Sequence, residues 1–287
     1  MTGAPATLRV AAAPCSFGIF ELEEGLPDPD AFLAAVHDAG YGAVDLGPPG
    51  YLGSGPVLAA RLARHRLALC GGWIQLAVDD DLASARASLA AFAATPPGPR
   101  PPVPTLAVDG PDSPVAGTPR RLDAAGWAAY RQVLMQAATL CREQGFAPAF
   151  HQHVGTWIEH PDDLDRLLEE TDLDLCLDTG HLLLAGGDPV EVAGRWRGRL
   201  RHVHLKDVRL DLARSLAGRP LQEIWRAGVF CELGAGALDL PAFLAELGDY
   251  AGWLVVEQDR ILEPGESLSQ AAAAQGRNRS LLRRALG

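Results

Sequence analysis

Short apolar runs alternate with longer amphipathic segments along nearly the whole chain, and this alternation limits the fold more than any other feature. Apolar runs at 8–13, 42–46, 67–74, 104–110, 147–153, 173–178, 200–207 and 253–259 have the length of buried strands. Segments of helical period lie between and after them, at 28–40, 55–65, 79–94, 119–144, 161–170, 188–196, 241–249 and 267–286. Boundary signals agree: Gly40 stops the first helix, Asp79–Asp81 fall in the first turn of the third, and Pro161 opens the fifth. Eight such units in 287 residues predict an α/β chain folded as a single (β/α)8 (TIM) barrel, one domain spanning 1–287. A doubly wound sheet is the competing reading. It lacks its Gly-rich fingerprint, because PCSFG (14–18) follows the first strand instead. The Pro-rich stretch 95–102 reads as an internal loop, since the alternation resumes directly after it. The long irregular stretch 208–238 reads as a lid or substrate wall.

Charge and cysteine content narrow the function. Thirty-six acidic and 25 basic residues give a net charge of -11, which disfavours nucleic acid as a partner. The five cysteines are scattered with no CxxC pair; Cys70, Cys141 and Cys176 sit in apolar runs and read as reduced core residues. The first 18 residues carry too short an apolar run for a signal peptide, and no stretch approaches the about 20 apolar residues of a membrane helix. A cytoplasmic enzyme is the expectation.

In a barrel, chemistry sits at the carboxyl ends of the strands. Those ends carry Asp45 on the second strand, His151 and His153 on the fifth, Asp178 on the sixth with His181 just beyond, His202, His204, Lys206 and Asp207 on the seventh, and Glu257, Gln258 and Asp259 on the eighth. Strand alternation points His202 and His204 the same way, and likewise His151 and His153. Imidazoles and carboxylates converging in a dry mouth are costly unless paired or bound to metal. A divalent ion resolves the problem, and mixed nitrogen and oxygen ligands suit Mn, Co, Fe or Zn. Each residue alone has a plainer reading: Asp178 as a helix cap, Glu257 as an ion-pair partner, His153 and His202 as hydrogen-bonded structural residues. His37 and His65 fall on helix patterns and read as solvated; His160 reads as a loop residue.

These residues lie in motifs that resemble a known group. HVHLKD, LCLDTGH and WLVVEQD are similar to the xylose-isomerase-like barrel superfamily, which includes sugar isomerases and epimerases, inosose dehydratase and the endonuclease IV group. APCSFGIFE, GYGAVDLGPPGYLG, HQHVGTWIEHPDDLDRLLEETD and VFCELGAGALDL extend the resemblance over about 8–260, toward the inosose dehydratase branch. Phe17 stands where that branch usually has Trp, and Asp45 where it usually has Glu. The resemblance implies metal ligands at His151, Asp178, His204 and Glu257, with His181 beside the substrate or the ligands. The residues alone leave open whether His151 or His153 faces the metal; His151 is the one that aligns with the family position. Isomerases and epimerases carry a glutamate there, and epimerases use it with the strand-eight glutamate as opposed bases. His151 removes that symmetry and favours a one-way dehydration.

The resemblance therefore implies a lyase acting on an inosose-like ketone, by proton abstraction beside the ketone and then loss of water. His151, His153, His181, Lys206 and Glu257 are the candidates for proton steps. Asp45, Trp73, His181 and Lys206 are the candidates for substrate contact, together with the 208–238 loop; Asp207 reads as orienting a ligand. A sugar or sugar-phosphate isomerase or epimerase is the alternative, with Lys206 and Arg209 as phosphate partners. A non-catalytic polyol-binding barrel is a third reading. An AP-endonuclease-type activity fits poorly, because GGWI on the third strand offers no ligand. The expected partner is a small sugar or polyol, and barrels of this kind often pair as homodimers.

Overall fold

The computed structural model describes residues 9–79, 81–96, 98–110, 121–262 and 266–286. The first eight residues of the N-terminal segment read above for a leader, and Asp80, lie outside the described residues. The apolar runs form parallel strands β1 (Arg9–Ala12), β2 (Ala43–Asp45), β3 (Ala68–Leu76), β4 (Val103–Val108), β5 (Ala149–His151), β6 (Asp174–Asp178), β7 (Leu200–Leu205) and, after a short antiparallel pair β8 (Asp207–Val208) and β9 (Phe230–Cys231), β10 (Trp253–Val256). The eight parallel strands close in the order β1-β10-β7-β6-β5-β4-β3-β2, the barrel the alternation predicts.

Strand periodicity sorts the side chains into two layers. Val10, Val44, Leu69, Leu106, Phe150, Leu177, Val203 and Leu254 join the large cluster shared with the helices. The inward set is small: Ala11, Ala13, Ala43 and Cys70 surround Trp253 and Val255, while Val103, Ala149 and Cys176 pack beside them. Barrel interiors are usually filled by branched residues. Here alanines and cysteines leave room for two large rings, Trp253 and His202, both buried.

The outer layer comprises α1 (Pro29–Asp38), α2 (Gly55–Arg64), α3 (Ala83–Ala93), α4 (Ala124–Glu143), α5 (Pro161–Glu170), α6 (Thr179–Leu184), α7 (Pro189–Arg195), α8 (Leu210–Ser215), α9 (Leu221–Arg226), α10 (Leu240–Leu247) and α11 (Leu268–Ala285). Local chemistry sets their starts. Asp28, Asp123, Asp188 and Asp239 each accept a backbone N–H at a helix entry, and Ser267 with Gln270 forms a capping box.

Three expectations change. Helix α3 starts at Ala83, after Leu82 turns the chain through φ +62, so Asp79 and Asp81 precede the helix and do not occupy its first turn. Stretch 208–238 is not irregular: it holds α8, α9 and β9 around a satellite core of Val208, Ala213, Ile224, Val229 and Phe230. His65 is not solvated, because its Nε2 lies 2.9 Å from Asp30 Oδ1.

Candidate active site

Asp178 ends β6 and starts α6 in the same residue. Its Oδ1 accepts the N–H groups of Gly180 at 2.9 Å and His181 at 3.0 Å, which caps the helix. The cap works only because Gly180 lets α6 lie against β7: a Cβ there would fall 2.5 Å from the Lys206 Cβ. Capping and site formation are therefore not alternatives. The second oxygen, Oδ2, turns inward to a cluster of donors.

That cluster gathers all four ligands the resemblance implies. His151 Nε2 lies 3.4 Å from Asp178 Oδ2 and 2.8 Å from His204 Nδ1. His204 Nδ1 lies 3.7 Å from Asp178 Oδ2 and 3.4 Å from Glu257 Oε2. Metal–donor bonds of about 2.0–2.2 Å in a tetrahedron put donors about 3.3–3.6 Å apart; the two 3.4 Å spacings fall in that range and the 3.7 Å one just beyond it, while His151 and His204 lie closer, at hydrogen-bond distance. His151, not His153, is the strand-five histidine whose ring nitrogen lies beside His204 and Asp178.

Charge balance points the same way. Lys206 Nζ lies 3.1 Å from Asp178 Oδ2, 2.9 Å from Glu257 Oε2 and 3.0 Å from Asp259 Oδ2. Three buried carboxylates against one ammonium leave two negative charges once His204 is neutral, the charge one divalent ion neutralises. Burial opposes ionisation of Asp178, yet Lys206, His181 and hydrogen bonds from His151 and His204 hold its pKa well below the usual range. Burial raises the pKa of Glu257 against the pull of His204 and Lys206. His204 is also buried, but Cys176, Glu257 and Asp178 more than offset that and raise its pKa well above the ordinary value. A histidine ligand must give up that proton to bind metal.

The pair His151 and His153 divides. Burial lowers the pKa of His151 to about 4, and burial with the Lys206 charge lowers that of His153 to about 3, so both imidazoles are neutral near pH 7. His153 Nδ1–H donates to the Val154 carbonyl at 2.7 Å, which fixes the tautomer and leaves Nε2 with a free lone pair. His181 does not reach the cavity surface as expected. It is fully buried, its ring lies 3.6 Å from that of His153, and its Nε2 accepts from Lys206 Nζ at 2.8 Å. His181 thus positions Lys206.

The cavity above these groups measures about 540 Å³, and Asp45, Trp73, His151, His153, His204, Lys206 and Glu257 line it. Trp73 stands edge-on to both His151 and His153. Phe20 stacks on Trp225 at 4.2 Å, joining the loop after β1 to α9 across the mouth. That pair, 205 positions apart, left no sequence signal; Asp259 left one, since it shares a face with Glu257 two residues earlier. Asp207 is not a site residue. Its carboxylate accepts the N–H groups of Val208, Gly234, Gly236 and Leu238 at 2.8–3.0 Å and so staples the 232–238 loop. Arg209 bonds the Gly228 carbonyl and does not line the cavity.

A family model described as "Xylose isomerase-like TIM barrel" matches residues 103–279. The chain belongs to this family. Similar curated proteins include an inosose dehydratase of Geobacillus kaustophilus, 38% identical over 156 residues, covering 52% of this chain and 50% of that protein. The rhizopine catabolism protein MocC of Rhizobium meliloti is 36% identical over 186 residues, covering 58% and 56%. The chain thus spans about half the length of the curated relatives it matches. Solved structures with this fold include a probable 3-DHS dehydratase, AsbF, of Bacillus anthracis (TM-score 0.67, 13% identity, 95% and 99% of the two chains). Others are a D-allulose 3-epimerase of Methylomonas (0.70, 14%, 99% and 100%) and a family protein of Mycobacterium smegmatis in complex with magnesium (0.69, 16%, 98% and 98%). At these identities the structures speak to the fold alone. No helix among the described residues is long and apolar enough to cross a membrane.

Proposed function

We propose that this protein is a metal-dependent lyase that removes water from an inosose-like cyclic polyol ketone. The observation that carries the reading is the asymmetry of the site: a neutral base, His153, and a fixed ammonium, Lys206, both face one cavity beside the Asp178 donor cluster. Elimination needs a base for the proton and a positive or acidic group for the departing oxygen. Epimerisation by two opposed carboxylates needs a like pair, and His151 has replaced one member.

His151, Asp178, His204 and Glu257 would hold the ion. When bound, it supplies Lewis acidity toward the ketone oxygen and a neighbouring hydroxyl. His153 Nε2 takes the proton beside the ketone. Lys206, held by Asp259 and His181, stays protonated and stabilises the oxyanion, and the proton taken by His153 leaves with the departing hydroxide as water. Burial opposes the Lys206 charge, but Asp178, Asp259 and Glu257 keep its pKa well above the ordinary value, so the group stays charged. Trp73, Phe20 and Trp225 offer apolar faces for ring C–H groups and exclude water.

The cavity favours an uncharged substrate over a sugar phosphate. Among its described lining residues Lys206 is the only lysine or arginine, whereas Glu21, Asp45, Glu257 and Asp259 are acidic. The names of the curated relatives support the dehydratase reading, and the magnesium-bound relative supports a divalent ion. The test incubates chelator-stripped and Mn- or Co-reloaded protein with scyllo-inosose and separately with ketohexoses. Metal-dependent appearance of enone or diketone absorbance from scyllo-inosose is expected. Interconversion of ketohexoses without water loss would favour the epimerase instead, and turnover unchanged by stripping would overturn the metal-centred reading.

A further inference from the structure

One layer below the donor cluster lies a second group that the proposed reaction does not use. Asp45, Cys70 and His202 bring one ligand atom each within 4.8 Å of one another. All three are buried, at 5%, 0% and 0% exposure. Asp45 Oδ2 and both ring nitrogens of His202 have no hydrogen-bond partner. Buried polar atoms left unpaired are costly, so three in one place ask for a ligand.

The backbone is built for this approach. Gly47 N–H donates to Asp45 Oδ1 at 3.2 Å, which fixes the carboxylate and directs Oδ2 away. A register shift between Val44 and Asp45 sets Asp45 opposite Gly71 and not Cys70. Such bulges re-aim side chains. Gly71 is required there, because a Cβ would fall 2.7 Å from the Val103 carbonyl oxygen and 3.2 Å from His202 Cε1. Cys70 is a free thiol.

We propose that Asp45, Cys70 and His202 form a second metal site, for a thiophilic divalent ion such as Zn2+. Sulfur, nitrogen and oxygen donors together suit zinc or cobalt and not magnesium or calcium. Three protein ligands leave a fourth position, and Asp45 lines the cavity, so water or a substrate hydroxyl can fill it. Binding displaces the Cys70 thiol proton to solvent. The site is separate from the donor cluster, although the His202 and His204 rings lie 5.3 Å apart.

Cobalt titration tests the proposal by a readout other than activity. Stripped protein is loaded with Co2+, bound metal is counted by elemental analysis, and thiolate-to-cobalt charge-transfer absorption is followed in the near ultraviolet. Two ions per chain and a charge-transfer band are expected. Cys70→Ala should keep one ion and lose the band; Asp178→Asn should keep one ion and retain it. Cys176 also lies near His151 and His204, so Cys176→Ala is the control and should keep both. A single ion without the band in the wild type, or a band that survives Cys70→Ala or disappears in Cys176→Ala, overturns the proposal. Should Cys70→Ala not fold, His202→Asn and Asp45→Asn must each lose the second ion, and retention in either overturns it. Failure here leaves the Asp178 cluster untouched.

Discussion

Asp178 Oδ1 accepts the backbone N–H of His181 at 3.0 Å, so the residue that faces the donor cluster also begins the helix that carries the next histidine. One side chain thereby ties site geometry to secondary structure.

The two tasks of Asp178 separate by mutation. Asp178→Asn keeps an oxygen for the cap, so thermal stability should fall by less than about 1 kcal/mol while the ion at the Asp178 cluster is lost. Asp178→Ala should lose the metal and also about 1–2 kcal/mol of cap stability. Elemental analysis and thermal melts, run on metal-stripped samples for the stability comparison, check both. Metal retained at full stoichiometry in the asparagine variant would falsify the placement of the site.

His153 and His151 should differ in kind. His153→Ala should lower kcat by about 10²–10⁴-fold with metal content unchanged, as removal of a general base does. His151→Ala should lower metal occupancy first and activity as a consequence. Steady-state kinetics on samples of measured metal content decide; equal metal loss in both variants contradicts the division.

The loop staple at Asp207 predicts a purely structural defect. Asp207→Ala leaves four backbone N–H groups without their acceptor, at about 1–3 kcal/mol for each that stays buried. Limited proteolysis should open the chain within 232–238 and the melting temperature should fall. A variant as protease-resistant as the wild type would show that the loop is held by other contacts.

The buried histidines give the stripped protein a defined pH response. His151 and His153 hold pKa values of about 4 and about 3, below the ordinary 6.5. The unfolded chain therefore binds more protons than the folded one between about pH 6.5 and 4, and stability rises with pH across that window. The stabilisation is complete above about pH 6.5 and fades as the pH falls, with an upper bound near 1.4 kcal/mol per pH unit for the fully buried His151. Urea unfolding at several pH values measures it, and His151→Gln should flatten the slope. Stability that increases on acidification through this range would contradict the prediction.

Several features were legible in the sequence because they are local. Strand and helix periods follow from side-chain alternation, and Asp178 at the end of an apolar run is visible in seven letters. The start of α3 is not legible in the sequence, because an aspartate run reads as a first turn whereas Leu82 in a left-handed conformation delays the start. Stretch 208–238 looks irregular in sequence because its helices are six residues each, too short to show a period.

By itself the sequence determined the barrel and the identity of the converging groups, since a parallel βα repeat closes in few ways and the strand ends must then meet. Only the tertiary structure decided how those groups divide. It sets His151 into the donor cluster and His153 against the cavity, draws His181 behind Lys206, sends Asp207 to a loop, and brings Phe20 onto Trp225. Each of these depends on distances between side chains from different strands, which fold closure fixes and which no pattern along the chain encodes.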